Sequence, residues 1–80
     1  MIRISKTTQT PRSAIKAQLD TYFGPGGLGL HFVDHISYCA YFQGDGGYVA
    51  VDIIEEDNSR VVDIHAREWE YHAKRFLIEV

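Results

Sequence analysis

Two aspartates and a histidine are the residues of this chain whose types and spacing could do acid–base chemistry. Asp52 and Asp63 lie in neighbouring stretches that alternate between apolar and polar residues, and His65 follows Asp63 by two positions. Side chains two residues apart on a strand face the same side of a sheet, so these three groups are expected on one surface. Carboxylates beside an imidazole can move protons in catalysis. No nucleophile, oxyanion loop or metal set accompanies them, which argues against an enzyme.

Two predicted turns determine how these stretches pair. The glycine-rich cluster 44–47 and the polar cluster 56–59 consist of residues that favour turns. Between them, Val49, Val51 and Ile53 alternate with other residues, as in a strand that has one buried face. Each turn, taken alone, selects a register that buries this same set, and a slip by one residue would break the agreement. The sequence therefore predicts an antiparallel meander.

The predicted register sets Asp52 directly opposite Asp63 on adjacent strands, with Cys39 as the other neighbour of Asp52. Directly opposed like charges are unfavourable in a sheet. We expect the pair to be relieved by His65, by an arginine or lysine of the first strand, or by a bound cation. Solvation at the sheet surface is the alternative. Cys39 beside a carboxylate is expected to be a small apolar residue rather than a nucleophile.

The outer face of the predicted sheet is more apolar and aromatic than a solvated surface needs to be. An extended apolar patch on a small protein often marks an interface, although scattered apolar side chains on a surface are normal. We take this face as the candidate surface for a ligand or a partner. Its candidate residues are Tyr41, Tyr48, Asp52, Asp63 and His65.

Two further patterns lack the context that their chemistry requires. Gly24–Gly29 matches the glycine spacing of a dinucleotide-binding loop, but a helix is predicted before it and a strand after it, the reverse of what phosphate binding needs. This segment is predicted to be a helix-to-strand loop. The four histidines have no spacing that forces them to converge on one metal ion. No cofactor and no metal are expected.

Length and composition favour one small domain spanning residues 1–80. The net charge of −3, with both signs scattered, disfavours nucleic acid and anionic membranes as partners. Cys39 is the only cysteine, so no internal disulfide can form. With no signal peptide and no apolar run of membrane-spanning length, the expected compartment is the cytoplasm.

Two segments are predicted to be helices. Thr10 and Pro11 are typical of a helix start, with Thr10 as the N-cap, and Gly24 followed by proline is typical of a helix end. The last segment, residues 67–80, carries its large apolar residues on one helical face. Both helices are expected to cover the same side of the sheet.

The strands complete an α+β fold with the element order β-α-β-β-β-α and a four-stranded antiparallel sheet. Residues 2–8 alternate as a strand, which we place beside the last strand. One long strand is predicted over residues 28–43, with a bend or bulge at Asp34 and His35. The predicted core consists of Ile15, Leu19, Phe42, Val49, Val51, Ile53, Val62, Ile64, Trp69 and Phe76.

The second half of the chain resembles the closing hairpin and final helix of helix-grip domains, the START-like superfamily of hydrophobic-ligand binders and cyclases. The residues that carry this resemblance are Gly46–Val51, Val62–Ile64 and Arg67–Tyr71, with Phe76 and Leu77. The resemblance implies a curved sheet around the C-terminal helix. Full members have more strands and enclose a cavity, so this chain would be a shortened form, and no site residue of the family is transferred to it.

Two functions of different kinds are compatible with these observations. The first is a non-enzymatic interaction module that acts as a homodimer and pairs through the outer sheet face or an edge strand. The second, which the helix-grip resemblance implies, is a binder of a small hydrophobic ligand between the C-terminal helix and the sheet. The sequence identifies neither the ligand nor the partner.

Overall fold

The chain forms a five-stranded antiparallel sheet and two helices in a computed structural model that describes residues 1–34 and 38–80. The α+β class, the antiparallel sheet and the two helices agree with the prediction. In chain order the elements are β1 (Ile2–Thr8), α1 (Arg12–Phe23), β2 (His31–Phe32), β3 (Ala40–Gly44), β4 (Gly47–Glu55), β5 (Arg60–Arg67) and α2 (Glu70–Glu79). The strand order across the sheet is β1-β5-β4-β3-β2.

The register around β4 is the one that the two turns predict. Val51 lies opposite Ile64 on β5 and opposite Ala40 on β3, so both hairpins bury the same face of β4. Strand β1 lies antiparallel to β5, with Ile4 opposite Ile64. The turn between β3 and β4 uses Asp45 and Gly46 in the left-handed region, with φ of 50° and 79°, which suits a tight hairpin.

The prediction of one long strand over residues 28–43 is wrong. Phe32 on β2 lies opposite Phe42 on β3, and the backbone N–H of Val33 donates to the carbonyl of Tyr41 at 2.8 Å. The chain therefore reverses between β2 and β3. The prediction missed this reversal because residues that alternate on both sides of a connection look like one strand in sequence. The sheet therefore has five strands rather than four, in the order β-α-β-β-β-β-α. The bend or bulge predicted at Asp34 and His35 lies partly outside the described residues, since His35 is not among them.

The helices begin and end close to the predicted positions, but the predicted N-cap is wrong. Helix α1 has no side-chain cap, and the Thr10 hydroxyl instead donates to the carbonyl of Val80 at 3.3 Å. The Gly24 N–H donates to the Asp20 carbonyl and ends the helix. Within the described residues, neither helix has the length and apolar character needed to cross a bilayer.

One core holds the layers together. Ile15, Leu19 and Phe23 of α1 pack in the same buried cluster as Phe76 and Leu77 of α2, so both helices cover one face of the sheet. Nine of the ten predicted core residues are buried; the tenth, Trp69, is half-buried and packs at the edge of the cluster. The sheet residues of the cluster are Ala40, Phe42, Val49, Val51, Ile53, Val62, Ile64 and Ala66.

We expect Ile64→Ala to lower the free energy of unfolding by about 2–5 kcal/mol, because it removes buried methyl groups and leaves a cavity in the centre of the sheet. The matched control is Ile78→Ala on α2, where the isoleucine is 75% exposed and the change should stay within about 0.5 kcal/mol. Urea unfolding of both variants measures the difference. Equal effects would contradict this description of the core.

Candidate functional site

The predicted tyrosines meet on the outer face of the sheet. Tyr41 on β3 and Tyr48 on β4 stack with their ring centroids 5.7 Å apart and their planes 10° apart. Tyr38, which precedes β3, adds a third ring 6.1 Å from Tyr41. The imidazole of His65 lies 5.9 Å from the Tyr38 ring. Ala50, opposite both Tyr41 and His65 in the register, is almost completely buried within this aromatic surface.

The acidic pair lies where the register predicts it, and Arg3 relieves it. Asp52 is opposite Asp63 on adjacent strands. Arg3 of β1 donates to both carboxylate oxygens of Asp63, at 3.0 and 3.4 Å. The hydrogen bonds to Asp63, and then its charge, raise the pKa of Arg3 above its usual value. An arginine of the first strand was one of the expected forms of relief. Asp63 is only 8% exposed, so the pairing guanidinium holds a carboxylate that water scarcely reaches.

A second arginine approaches the other member of the pair. The thiol of Cys39 lies 3.4 Å from a carboxylate oxygen of Asp52, as the predicted neighbourhood requires. Arg12, at the start of α1, donates to the Cys39 sulfur at 2.9 Å and to the carbonyl of Ile53 at 3.0 Å. The two aspartates therefore lie between two guanidinium groups, one in direct contact and one acting through the sulfur. This arrangement is one ion pair and a set of hydrogen bonds that join β1, α1 and the meander.

The outer face provides little for catalysis. The carboxylate of Asp63 is occupied by Arg3, and the imidazole of His65 lies against an aromatic ring. No group of three histidine, cysteine or acidic side chains that could hold a metal ion occurs in residues 1–34 and 38–80. What this face offers is a tyrosine-rich surface beside a paired charge.

The other side of the molecule carries a groove that the sequence analysis did not identify. It has a volume of about 710 Å³ and runs between α1, α2 and the loop after α1. The helices are antiparallel, because Thr10 near the start of α1 contacts Val80 after α2, while Tyr22 near the end of α1 contacts His72 early in α2. The lining residues are Ala17, Gln18, Thr21, Tyr22, Gly27, Leu28, His72, Phe76 and Glu79.

The glycine loop closes one end of this groove. The Leu28 N–H donates to the Tyr22 carbonyl at 3.0 Å, and the Gly27 N–H donates to the Gly24 carbonyl at 2.9 Å. A side chain at position 27 would overlap the carbonyl oxygens of Thr21 and Tyr22, so only glycine allows the loop to lie this close to the helix end. The Gly24–Gly29 segment is thus a helix-to-strand loop, as predicted, and it places Leu28 in the groove wall.

Aromatic rings form the floor of the groove. Tyr22 and Phe76 meet edge to face, with centroids 5.8 Å apart. Burial, and then the negative charge of Glu79, raises the pKa of the Tyr22 phenol. Its hydroxyl is therefore protonated at neutral pH and able to donate a hydrogen bond. His72 lies among the rings of Trp69 and Tyr71 as well as that of Tyr22, at 5.3–6.5 Å.

The sequence indicates the two helix faces that line this groove, but not the groove itself. His72, Phe76 and Glu79 recur at a spacing of four and three residues, which places them on one face of α2. Thr21 and Tyr22 lie beside the apolar stripe of α1. Each helix can be identified from its own pattern, but the pattern does not say that these two edges face each other across a gap.

Comparison with known proteins gives no match: no family model, no curated protein and no solved structure is similar to this chain.

We expect Arg3→Gln to destabilise the protein, because it leaves the nearly buried Asp63 opposite Asp52 without its guanidinium partner. Asp63→Asn added to Arg3→Gln should restore part of the loss, and urea unfolding of the double-mutant cycle measures this coupling. Because the folded-state pKa of Arg3 is raised, its contribution is fully present below the unfolded-state pKa and is lost only as the pH rises through the folded-state pKa. The Arg3→Gln effect should therefore stay constant between about pH 7 and 10.

The control for this experiment is Arg75→Gln, which removes an exposed arginine 4.0 Å from Glu79 and should leave stability almost unchanged. If Arg3→Gln is as silent as Arg75→Gln, solvation rather than Arg3 relieves the acidic pair.

Proposed function

We propose that the protein is a non-enzymatic binding module that takes a small, largely apolar ligand in the groove between α1 and α2. The observation that supports this proposal best is the groove itself. Its volume of about 710 Å³ lies within the ~300–1,000 Å³ typical of small-molecule sites. Its aromatic and aliphatic lining surrounds a few polar groups, which is the composition expected of such sites.

The proposal moves the pocket from the place that the helix-grip resemblance implies. Between α2 and the sheet, Phe76 packs 5.6 Å from Phe23, which packs 5.7 Å from Phe42, so aromatic side chains fill that space. The open space lies instead on the solvent side of these rings. We regard the protein as a shortened relative of the helix-grip architecture, with an open groove in place of an enclosed cavity, and we assign it to the cytoplasm.

The absence of enzymatic activity is also part of this proposal. Two carboxylates and an imidazole share the outer face of the sheet, where Asp63 is held by Arg3. The groove itself contributes one phenol, one imidazole and one carboxylate, and the hydroxyl of Thr21 donates to the carbonyl of Ala17 at 3.0 Å. Binding is the simpler use of both surfaces.

A ligand titration followed by protein NMR tests the proposal. We expect small aromatic or alkyl compounds to shift the signals of Tyr22, Leu28 and Phe76, and to raise thermal stability by mass action. Ala17→Trp should fill the groove and weaken binding by about tenfold or more, a loss of about 1.4 kcal/mol in binding free energy.

Lys16→Trp is the matched control, because Lys16 is exposed on α1 but does not line the groove. It should leave the affinity unchanged. Binding that survives Ala17→Trp, or shifts confined to the sheet, would contradict a ligand site between the helices.

We propose homodimerisation through the outer sheet face as a second function. Both helices cover the opposite face, and the outer face carries Ile54, which is 47% exposed, beside its half-buried cross-strand neighbour Val61. The stacked pair Tyr41 and Tyr48 forms a second apolar region of the same face, separated from Ile54 by the opposed Asp52 and Asp63. Aromatic residues are enriched at the centres of protein interfaces, and an 80-residue chain without a disulfide gains stability from association.

Sedimentation at increasing concentration tests this second proposal. We expect a dimer in the wild type and a shift toward monomer in Ile54→Lys, since a charge on this part of the face would be desolvated on association. Ile78→Lys makes the same change at an isoleucine on α2 that is 75% exposed and should leave the dimer intact. A wild type that stays monomeric at high concentration would exclude this function.

A further inference from the structure

The groove is electrostatically asymmetric. Among the described residues that line it, Glu79 is the only carboxylate, and none is a lysine or an arginine. Glu79 lies in the last turn of α2 and its side chain is 56% exposed, so a ligand can reach it. The opposite end of the groove is formed by Gly27, Leu28 and His72. A ligand in the groove would therefore meet a carboxylate at one end, and the Leu28 side chain and the His72 imidazole at the other.

Arg75 does not cancel the charge of Glu79 inside the groove. The guanidinium of Arg75 lies 4.0 Å from the carboxylate, at the limit of an ion pair, and it also approaches the Tyr71 hydroxyl at 3.5 Å, outside the groove lining. At the Tyr22 hydroxyl the two charges act in opposite directions. Glu79 raises the pKa of Tyr22 by more than Arg75 lowers it.

The aromatic floor adds a second attraction for positive charge. The rings of Tyr22 and Phe76 meet edge to face, and both line the groove. An ammonium group within about 6 Å of such a ring is attracted by its quadrupole, by roughly 0.5–1 kcal/mol at exposed sites. A carboxylate ligand would meet repulsion from both Glu79 and the ring face.

We infer that the groove selects a small amine whose ammonium group lies at the Glu79 end and whose apolar body packs on Tyr22 and Phe76. This inference rests on the proposed function of the groove and names its ligand class. Leu28 and the aliphatic part of Gln18 would enclose the body of the ligand. An aralkyl amine with a single ring has the size and polarity that this lining requires.

Three matched compounds test the inference: 2-phenylethylamine, 2-phenylethanol and 3-phenylpropanoate. Their dissociation constants are measured by NMR titration at about pH 8, where an ordinary amine is protonated and an ordinary imidazole is neutral. The protein is used as wild type, as Glu79→Gln and as Glu56→Gln. Glu56→Gln removes the same charge from the turn between β4 and β5, away from the groove lining.

We expect the wild type to bind the amine roughly three- to tenfold more tightly than the alcohol, and the carboxylate most weakly. Glu79→Gln should remove most of this preference while leaving the affinity for the alcohol unchanged, and Glu56→Gln should keep the preference. Added salt should reduce it in the wild type.

The outcomes distinguish failure of the amine assignment from failure of the proposed ligand site between the helices. If the alcohol binds with shifts at Tyr22 and Phe76 but the amine is not preferred, or the preference persists in Glu79→Gln, the amine assignment is overturned and the groove remains a binding site. If none of the three compounds shifts the groove signals at millimolar concentration while another apolar compound does, the amine class is again overturned. If no compound of any class does, the proposed function fails with it.

Discussion

The register of β4 is the constraint on which the rest of this structure depends. The hairpin turns at both ends of the strand place Val49, Val51 and Ile53 on the same side, and the flanking strands then present their own apolar residues to that side. Because side chains alternate along a strand, a slip by one residue would move the entire buried set to the opposite surface. The helices have only one apolar face on which to pack, so their position follows from the turns.

The register that forms the core also brings two like charges together on the other face of the sheet. It sets Asp52 against Asp63, and it places Ala50 between larger neighbours. Arg3, on the edge strand β1, pairs with Asp63 through a guanidinium that is itself largely exposed. Tyr41 lies opposite Ala50 in the register, and Ala50 is almost completely buried. The ion pair therefore does more than add surface charge: it ties β1 to β5 on the side of the sheet that no described helix covers.

Local chemistry predicted the meander, the core face and the opposed aspartates, because turn residues and a period of two act over a few positions. Three features depend on contacts that are distant in sequence and were not predicted. The hydroxyl of Thr10 leaves the helix start for the carbonyl of Val80. Strand β2 has two residues, too few for any periodicity to show. The groove requires the separation between α1 and α2, which neither helix encodes by itself.

That separation has a physical origin in the sizes of the side chains at two depths. Near the sheet, large rings such as Phe23 and Phe76 fill the space between the helices and set their distance. Farther out, α1 presents Ala17 and Thr21 to the gap, and these side chains are too small to bridge it. Larger apolar residues there would bury more surface and add stability. With Ala17 and Thr21 at these positions, the protein is less stable than it would be with larger apolar residues. Such a trade of stability for an open surface is expected at a binding site. For this reason we propose the groove, rather than the acidic pair, as the functional site.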